Sequence, residues 1–224
     1  RHLDLNRDFV KCDTLTARVF NGLFARWDPD VMVDTHTSNG ADYTYTMTLI
    51  HTQADKLGSG LGPFLRDTML PHIYSEMAAR GWPTCPYVNP VQDTPDDGIA
   101  EFLEVPRFST GFTALHNVIG FMPETHMLKP FRDRYESMRT LLDVTREFTV
   151  AHAREIQSLR REAKAAQRQR KEWTVTWKMS DQPSTFRFKG YEARRHASVL
   201  GNYTRLSYDR SKPYEKDIPY FNTF

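Results

Sequence analysis

The sequence predicts an α/β fold: a mixed, mostly parallel sheet flanked by helices and followed by a C-terminal β extension. Two short apolar runs, at residues 31–36 and 117–122, are typical of strands buried in a sheet. Segments with helical periodicity precede and separate these runs. After Glu172 the pattern changes to alternation with a period of two, which is typical of antiparallel strands. We therefore expect an α/β domain over residues 1–172 and a small β appendage over residues 173–224.

The composition is that of a folded protein with a substantial core. The 224 residues are 39% apolar and 26% charged, which excludes a disordered or low-complexity chain. A net charge of +2 does not indicate a nucleic acid as partner, and no apolar run approaches the ~20 residues that span a bilayer. Two cysteines, Cys12 and Cys85, are too few for a disulfide scaffold or a Cys-rich zinc module. Whether they pair is left open by the sequence.

The first predicted helix covers residues 14–27, with Thr14 or Asp13 as its N-cap and Asp28-Pro29 after its end. Its apolar residues recur at helical spacing and predict one buried face: Leu15, Val19, Phe20, Leu23, Phe24 and Trp27. The buried run at residues 31–36 follows directly, and Thr37-Ser38-Asn39-Gly40 is predicted to be the loop that leaves this strand.

The remaining elements follow from helix breakers and periodicity. A second helix is predicted from Pro63 to Gly81, and loops rich in Pro, Asp and Gly over residues 82–111. A long helix is predicted after Phe131, because residues 131–173 contain neither Gly nor Pro. Its basic C-terminal end is interpreted as a solvated helix end. Strands are predicted at residues 173–177, 185–188 and 203–206.

Two residues with catalytic chemistry lie where the predicted strands end. His36 follows the first apolar run and Glu124 follows the second. Ligands of open α/β sheets bind outside the carboxyl ends of strands, where a neutral imidazole can bind a metal and a carboxylate can act as a general base. Asp34 has the same side-chain parity as His36 and is a candidate to orient it. A structural histidine is the alternative interpretation.

Asn6-Arg7 is a candidate anion-binding pair. A guanidinium group binds a carboxylate through two parallel hydrogen bonds, and the amide of Asn6 can donate another. The alternative is a surface arginine engaged in a salt bridge.

Together these residues resemble the zinc carboxypeptidase (carboxypeptidase A-like) family, and most closely its bacterial branches. The resemblance covers roughly residues 3–135 and rests on three ordered motifs: Asn6-Arg7-Asp8-Phe9, Trp27-Asp28-Pro29-Asp30-Val31 leading into Asp34-Thr35-His36-Thr37, and Glu124-Thr125-His126. It implies the zinc-carboxypeptidase (phosphorylase-like) fold. The tail from residue 173 does not match this fold.

The resemblance also implies a site. His36 matches the third zinc ligand, and Asn6 and Arg7 match the pair that holds the terminal carboxylate of the substrate. Glu124 matches the glutamate that activates the zinc-bound water. Zinc lowers the pKa of this water and polarises the scissile carbonyl. The implied activity is hydrolysis of an amide bond next to a free carboxylate, with Zn as cofactor and a peptide as substrate.

The chain departs from the family pattern in two places. The H-x-x-E pair that supplies the other two zinc ligands does not precede Asn6, and we expect it upstream of Arg1, because the chain starts without an initiator methionine. Two other pairs have a spacing that would suit metal ligands. We interpret His152–Glu155 as a chance match to H-x-x-E and His72–Glu76 as an ordinary surface pair. Phe108 or Phe112 stands in place of the family's mobile tyrosine, and Arg107 is a further candidate for anion binding.

Two alternative functions remain open. One is a deacylase that acts on an N-acyl amino acid with the same fold and chemistry. The other is a binding protein that has lost the metal site. Many members of the family that the chain resembles are exported, but a cytoplasmic location is also compatible with the sequence, so the localisation is left open.

Overall fold

The computed structural model describes residues 3–224 as layers of helices around a central sheet. The helices are α1 (Leu15–Trp27), α2 (Gly58–Phe64), α3 (Leu70–Ala79), α4 (Ser109–Leu115), α5 (Phe131–Ala151) and α6 (Ala153–Gln169). The strands are β1 (Val31–Val33), β2 (His36–Ser38), β3 (Met47–His51), β4 (Thr84–Pro86), β5 (Ile99–Ala100), β6 (Ile119–His126), β7 (Ser184–Ala197) and β8 (Thr204–Phe221). The predicted α/β class is confirmed.

The central sheet is mixed, with β6 at its centre. Both β1 and β2 pair with β6 in parallel, and β4 pairs with β3 in parallel. The pairing of β3 with β6 is antiparallel. All eight residues of β6 are buried, and the strand continues through Glu124 to His126. The strand is therefore longer than the apolar run that predicted it, which ends at Met122.

The main core lies between this sheet and the helices α2, α3, α5 and α6. Its largest fully buried side chains include Leu57, Leu61, Met69, Ile73 and Phe121. The helix predicted to start at Pro63 in fact starts at Gly58, with Pro63 inside its first turns, and it passes through a π-helical segment at Leu65–Met69. Its predicted end is confirmed, because Gly81 adopts a φ of 84°, which favours glycine after a helix.

Helix α1 is confirmed as an amphipathic helix, but only part of its apolar face is buried. Thr14 caps the helix by accepting a hydrogen bond from the Ala17 amide at 3.0 Å. Phe24 is buried, whereas Leu15 and Trp27 are 76% and 79% exposed. Periodicity defines which side chains share a face, and it does not define what covers that face.

Two predictions for the C-terminal third are corrected. The long helix breaks at His152 into α5 and α6. Residues 173–177 form no strand, although their alternation predicted one, and the strands predicted at 185–188 and 203–206 fall within β7 and β8. Alternation is not sufficient for a strand, because a strand also needs a neighbour that completes its backbone hydrogen bonds.

The hairpin of β7 and β8 packs against the α/β part of the chain. Strand β5 pairs in parallel with β8, and Phe188 and Ile218 of the hairpin share a buried cluster with Tyr43 and Ile99. The buried carboxylate of Asp42 binds Lys129 at 3.0 Å and Arg210 at 2.6 Å, and so adds an ionic link to β8.

The buried guanidinium of Arg160 connects α6 to the residues that lead into β1 and β6. It donates to the Asp28 carbonyl at 2.8 Å, to the Asp30 carboxylate at 3.0 Å and to the Asn117 carbonyl at 3.0 Å. A further contact joins it to the carboxylate of Asp28. This contact set fixes α6 relative to the edge of the sheet from which β1 starts.

Among residues 3–224 no helix is long and apolar enough to cross a membrane. Cys12 and Cys85 are both free thiols, which answers the question that the sequence left open.

Candidate functional site

The parallel register of β2 and β6 places His36 directly opposite Glu124. The imidazole Nδ1 lies 3.7 Å from the carboxylate Oε1 of Glu124. Their side chains are 20% and 10% exposed, so the pair lies at the edge of the interior and remains accessible. The expected proximity of these two residues is therefore observed.

Asp34 holds the other side of the imidazole. It lies in the break between β1 and β2, where its amide donates to the Phe121 carbonyl at 2.8 Å. Its Oδ2 lies 3.0 Å from Nε2 of His36, and this hydrogen bond is the main reason why the pKa of His36 lies above its ordinary value. Burial disfavours the ionised form of Asp34, but hydrogen bonding outweighs burial and lowers the pKa of Asp34. The side chain thus fixes the ring orientation and leaves Nδ1 directed at Glu124.

Glu124 carries a carboxyl group with strongly shifted acidity. Burial raises its pKa to about 7; the nearby His36 opposes this shift, and the charge of Asp34 adds to it. The Oε2 atom is buried and has no hydrogen-bond partner among residues 3–224. A carboxyl group with a pKa near neutrality is suited to accept and return a proton at physiological pH.

The two candidate arginines meet at one aromatic ring. Asn6 and Arg7 lie on the 3₁₀ turn Leu5–Arg7, and the Phe9 amide donates to the Arg107 carbonyl at 3.4 Å. The guanidinium carbons of Arg7 and Arg107 lie 4.3 and 5.0 Å from the centroid of the Phe108 ring. This stacking orders both cations. Nη1 of Arg7 donates to the Asn6 carbonyl at 3.0 Å and lies 3.8 Å from the Asp4 carboxylate, so an anion would bind through the other N–H groups of Arg7.

The charge of Arg7 is the observed link between the arginine pair and the His36–Glu124 pair. The positive charge of Arg7 opposes protonation of His36, as one cation near another does, although the contact with Asp34 dominates the pKa of His36. The Oδ1 atom of Asn6 is buried without a hydrogen-bond partner among the described residues. Of the five residues predicted for the site, His36 and Glu124 face each other, Arg7 and Arg107 meet at the Phe108 ring, and Asn6 lies next to Arg7 in the 3₁₀ turn.

The residues present fit one zinc ligand with a base beside it, and they do not complete a zinc site. No group of three His, Cys, Asp or Glu side chains within residues 3–224 is arranged to hold a metal ion. His152 and Glu155 form an exposed pair at 3.0 Å on α6. His72 packs on the Phe148 ring, and Glu76 binds Arg80 at 3.3 Å. Any further ligands would have to come from outside the described residues.

One residue near the site, Glu104, had no sequence signal. Glu104 is only 1% exposed, and neither carboxylate oxygen has a partner among residues 3–224. Burial raises the pKa of Glu104 well above its ordinary value, the charge of Lys56 opposes this, and the charge of Asp34 adds to it. A charged residue in a segment rich in loops is expected to be exposed, so sequence reasoning missed Glu104.

His126 has a structural role, because both nitrogens of its ring are hydrogen-bonded to the backbone, Nε2 to the Ala41 carbonyl and Nδ1 to the Leu128 amide.

Comparison of the chain with protein-family models, with curated proteins and with solved structures found no match. A function for this chain must therefore be argued from the geometry of its side chains.

The raised pKa of Glu124 predicts a pH-dependent stability that glutamine would remove. From pH 4.5 to 7 the unfolded carboxyl group ionises before the folded one, so the contribution of Glu124 to the free energy of unfolding falls through this range and levels off above pH 7. We expect Glu124→Gln to gain about 2–3 kcal/mol relative to the wild type between pH 4.5 and 8. Urea unfolding of the metal-free proteins at several pH values measures this. A difference that does not change with pH, as expected for the exposed control Glu172→Gln, would contradict it.

Proposed function

We propose that the chain carries the base and the carboxylate-binding half of a metallocarboxypeptidase-type hydrolase, which cleaves an amide bond next to a free carboxylate. The observation that carries this proposal is the 3.7 Å approach of His36 Nδ1 to Glu124. The charge of Arg7, which opposes protonation of the same imidazole, supports it. A metal ligand, a general base and an anion-binding group are the three elements that this reaction needs.

In this proposal each residue acts through a contact already described. His36 would hold zinc through Nδ1, and Asp34 keeps the ring in the required tautomer and orientation. When bound, zinc supplies a water of lowered pKa and polarises the scissile carbonyl. Glu124 accepts a proton from the attacking water and returns it to the leaving nitrogen. The resemblance to zinc carboxypeptidases supports these roles, and it places the two remaining ligands in an H-x-x-E pair upstream of Arg1.

The same proposal assigns the substrate carboxylate to the arginine side of the site. Arg7 is 44% exposed and is stacked on Phe108, so its donors are ordered and accessible. Arg107, on the same ring, adds a second positive charge. A peptide and an N-acyl amino acid share the free carboxylate, and assays with both classes of substrate distinguish the peptidase from the deacylase.

Arg7→Ala tests the carboxylate assignment in the full-length protein. We expect KM to rise roughly 10- to 100-fold for peptides with a free C-terminus, because a charge-assisted hydrogen bond is lost. The matched peptide amides lack the carboxylate, so their KM should be unaffected. Arg26→Ala, on the exposed side of α1, is the control and should resemble the wild type. An equal loss on acids and amides would count against a role in carboxylate binding.

A further inference from the structure

The β7–β8 hairpin has a packed inner half and an exposed outer half. A register shift between Tyr191 and Glu192 separates the two halves, and we call residues 192–209 the outer hairpin. None of its residues is buried, and residues 194–207 are exposed on both faces apart from the half-buried Ser198. A two-stranded hairpin of this kind adds little to a hydrophobic core. Its side chains are therefore available to a surface outside the described residues.

Apolar side chains form the tip of the outer hairpin. Val199 and Leu200 are 93% and 80% exposed, and Tyr203, on the other side of the turn, is also exposed. The turn is held by hydrogen bonds, because the Ser198 amide donates to the Tyr203 carbonyl at 2.9 Å and the Leu200 amide donates to Ser198 Oγ at 3.2 Å. Transfer of the two aliphatic side chains from water to an apolar phase would be favourable.

Basic side chains follow directly behind this tip. Residues 193–208 contain no Asp or Glu, whereas Arg194, Arg195, His196 and Arg205 are basic. His196 and Arg205 are paired across the two strands, so their side chains lie on one face, and the alternation of the strand places Arg194 on the same face. At a rise of about 3.3 Å per residue, these three side chains lie roughly 10–16 Å behind the tip.

The positive charge of this face is available to an anionic surface. Arg194 is paired with Asp209 and Arg195 with Asp93, whereas Arg205 has no acidic partner among residues 3–224. The side chains of Arg194 and Arg195 are more than half exposed, so their ion pairs are weak and can be exchanged for contacts with phosphate. Arg205 needs no such exchange and is the main candidate to bind an anion.

An apolar tip with basic residues behind it fits a membrane surface with anionic lipids. Interfacial segments enter a membrane by about 5–10 Å, which brings the basic side chains to the headgroups. A nucleic acid would contact the arginines and leave Val199 and Leu200 in water. A second copy that paired along the edge strand β7 would bring Arg194 and Arg195 of both copies together, and charged side chains on an edge strand oppose such pairing.

We propose that the outer hairpin docks the protein on a membrane surface that contains anionic phospholipids. Val199 and Leu200 enter the boundary of the acyl chains, and Arg205 binds headgroup phosphate. Tyr203 lies at the interface, where amphipathic rings are enriched. Docking of this kind is peripheral and requires no membrane-spanning helix. The inference is independent of the hydrolase proposed above, because the outer hairpin contains none of the residues of that site.

Cosedimentation of the protein with lipid vesicles tests the requirement for anionic lipid. Vesicles of phosphatidylcholine alone are compared with vesicles that contain about 40% phosphatidylserine, at constant salt. We expect the apparent dissociation constant to be at least about tenfold lower for the anionic vesicles, and to rise when salt is added. This comparison needs no variant. Equal binding to both kinds of vesicle, or binding to neither, would overturn the proposal.

Two variants locate the binding at the hairpin. Arg205→Gln should weaken binding to the anionic vesicles about fivefold, and Leu200→Ser should weaken it about tenfold. Both positions are exposed, so neither change should affect folding, which circular dichroism checks. Arg161→Gln and Leu15→Ser are matched controls at exposed positions elsewhere and should bind like the wild type. Folded Leu200→Ser protein with wild-type affinity would show that the tip does not enter the membrane.

Two further measurements address the other surfaces that the hairpin could contact. If a DNA duplex bound the protein, and Arg205→Gln but not Leu200→Ser weakened this binding, the hairpin would be assigned to a nucleic acid and the proposal would fail. Sedimentation equilibrium without lipid should show the same mass for the wild type and Leu200→Ser. A dimer of the wild type that Leu200→Ser abolishes would assign the tip to a second copy instead.

Discussion

Replacing Glu124 with glutamine is expected to lower kcat for peptide hydrolysis by about 10²- to 10⁴-fold, the range that general acid–base catalysis contributes. Glutamine has nearly the same shape and cannot take up a proton from water. In the proposed mechanism Glu124 is not a zinc ligand, so the zinc content measured by mass spectrometry should stay at the wild-type level. A loss of activity with retained metal would separate a base from a ligand.

His36→Ala gives the opposite pattern and serves as the comparison. It removes a proposed ligand, so zinc affinity and activity should fall together. Glu172→Gln, an exposed substitution far along the chain, should change neither quantity. Wild-type activity in Glu124→Gln would exclude Glu124 as the base, whatever the metal content.

Arg160→Ala is expected to destabilise the fold strongly, by about 3–5 kcal/mol. The alanine leaves the carboxylate of Asp30 and the carbonyl of Asn117 without their buried cationic partner. Such a loss costs more than an exposed ion pair, because solvent does not fully replace the buried contacts. Urea unfolding at neutral pH measures the difference.

Arg161→Ala is the matched control, because this neighbouring arginine is exposed on the same helix. Its effect should lie within about 0.5 kcal/mol of zero. If Arg160→Ala lost no more than Arg161→Ala, the contacts of Arg160 with Asp28 and Asp30 would not stabilise the fold. Arg160→Lys, which keeps the charge but cannot make all of these contacts, should be intermediate.

The sequence predicted the parts of the fold that depend on local periodicity. The apolar run at residues 31–36 contains β1 and the first residue of β2, and the run at 117–122 contains the first half of β6. The parallel pairing of β2 with β6 explains why His36 and Glu124 meet. The alternation at residues 173–177 failed as a predictor, because pairing partners are set by the tertiary structure. The exposed face of α1 was missed for the same reason.

In the candidate site, the sequence predicted the contacts between residues whose side-chain chemistry and position on a strand both suggested a site. Asp34 and His36 have the same parity on an extended chain, and the structure joins them at 3.0 Å. Glu104 carries no such signal, because the charged groups that surround it, Lys56 and Asp34, are distant in sequence. A shifted carboxyl pKa is a property of those surroundings, so no local pattern in the sequence could indicate it.

The position of Glu124 within β6, and not in a loop, limits how this protein can respond to a substrate. The strand is hydrogen-bonded on both sides and buried along its whole length, so moving the carboxylate would require breaking sheet pairing. The turn at Leu5–Arg7 has no buried residue. Conformational adaptation to substrates of different size therefore falls to the arginine side, and hydrogen exchange should be slow at Glu124 and fast at Arg7.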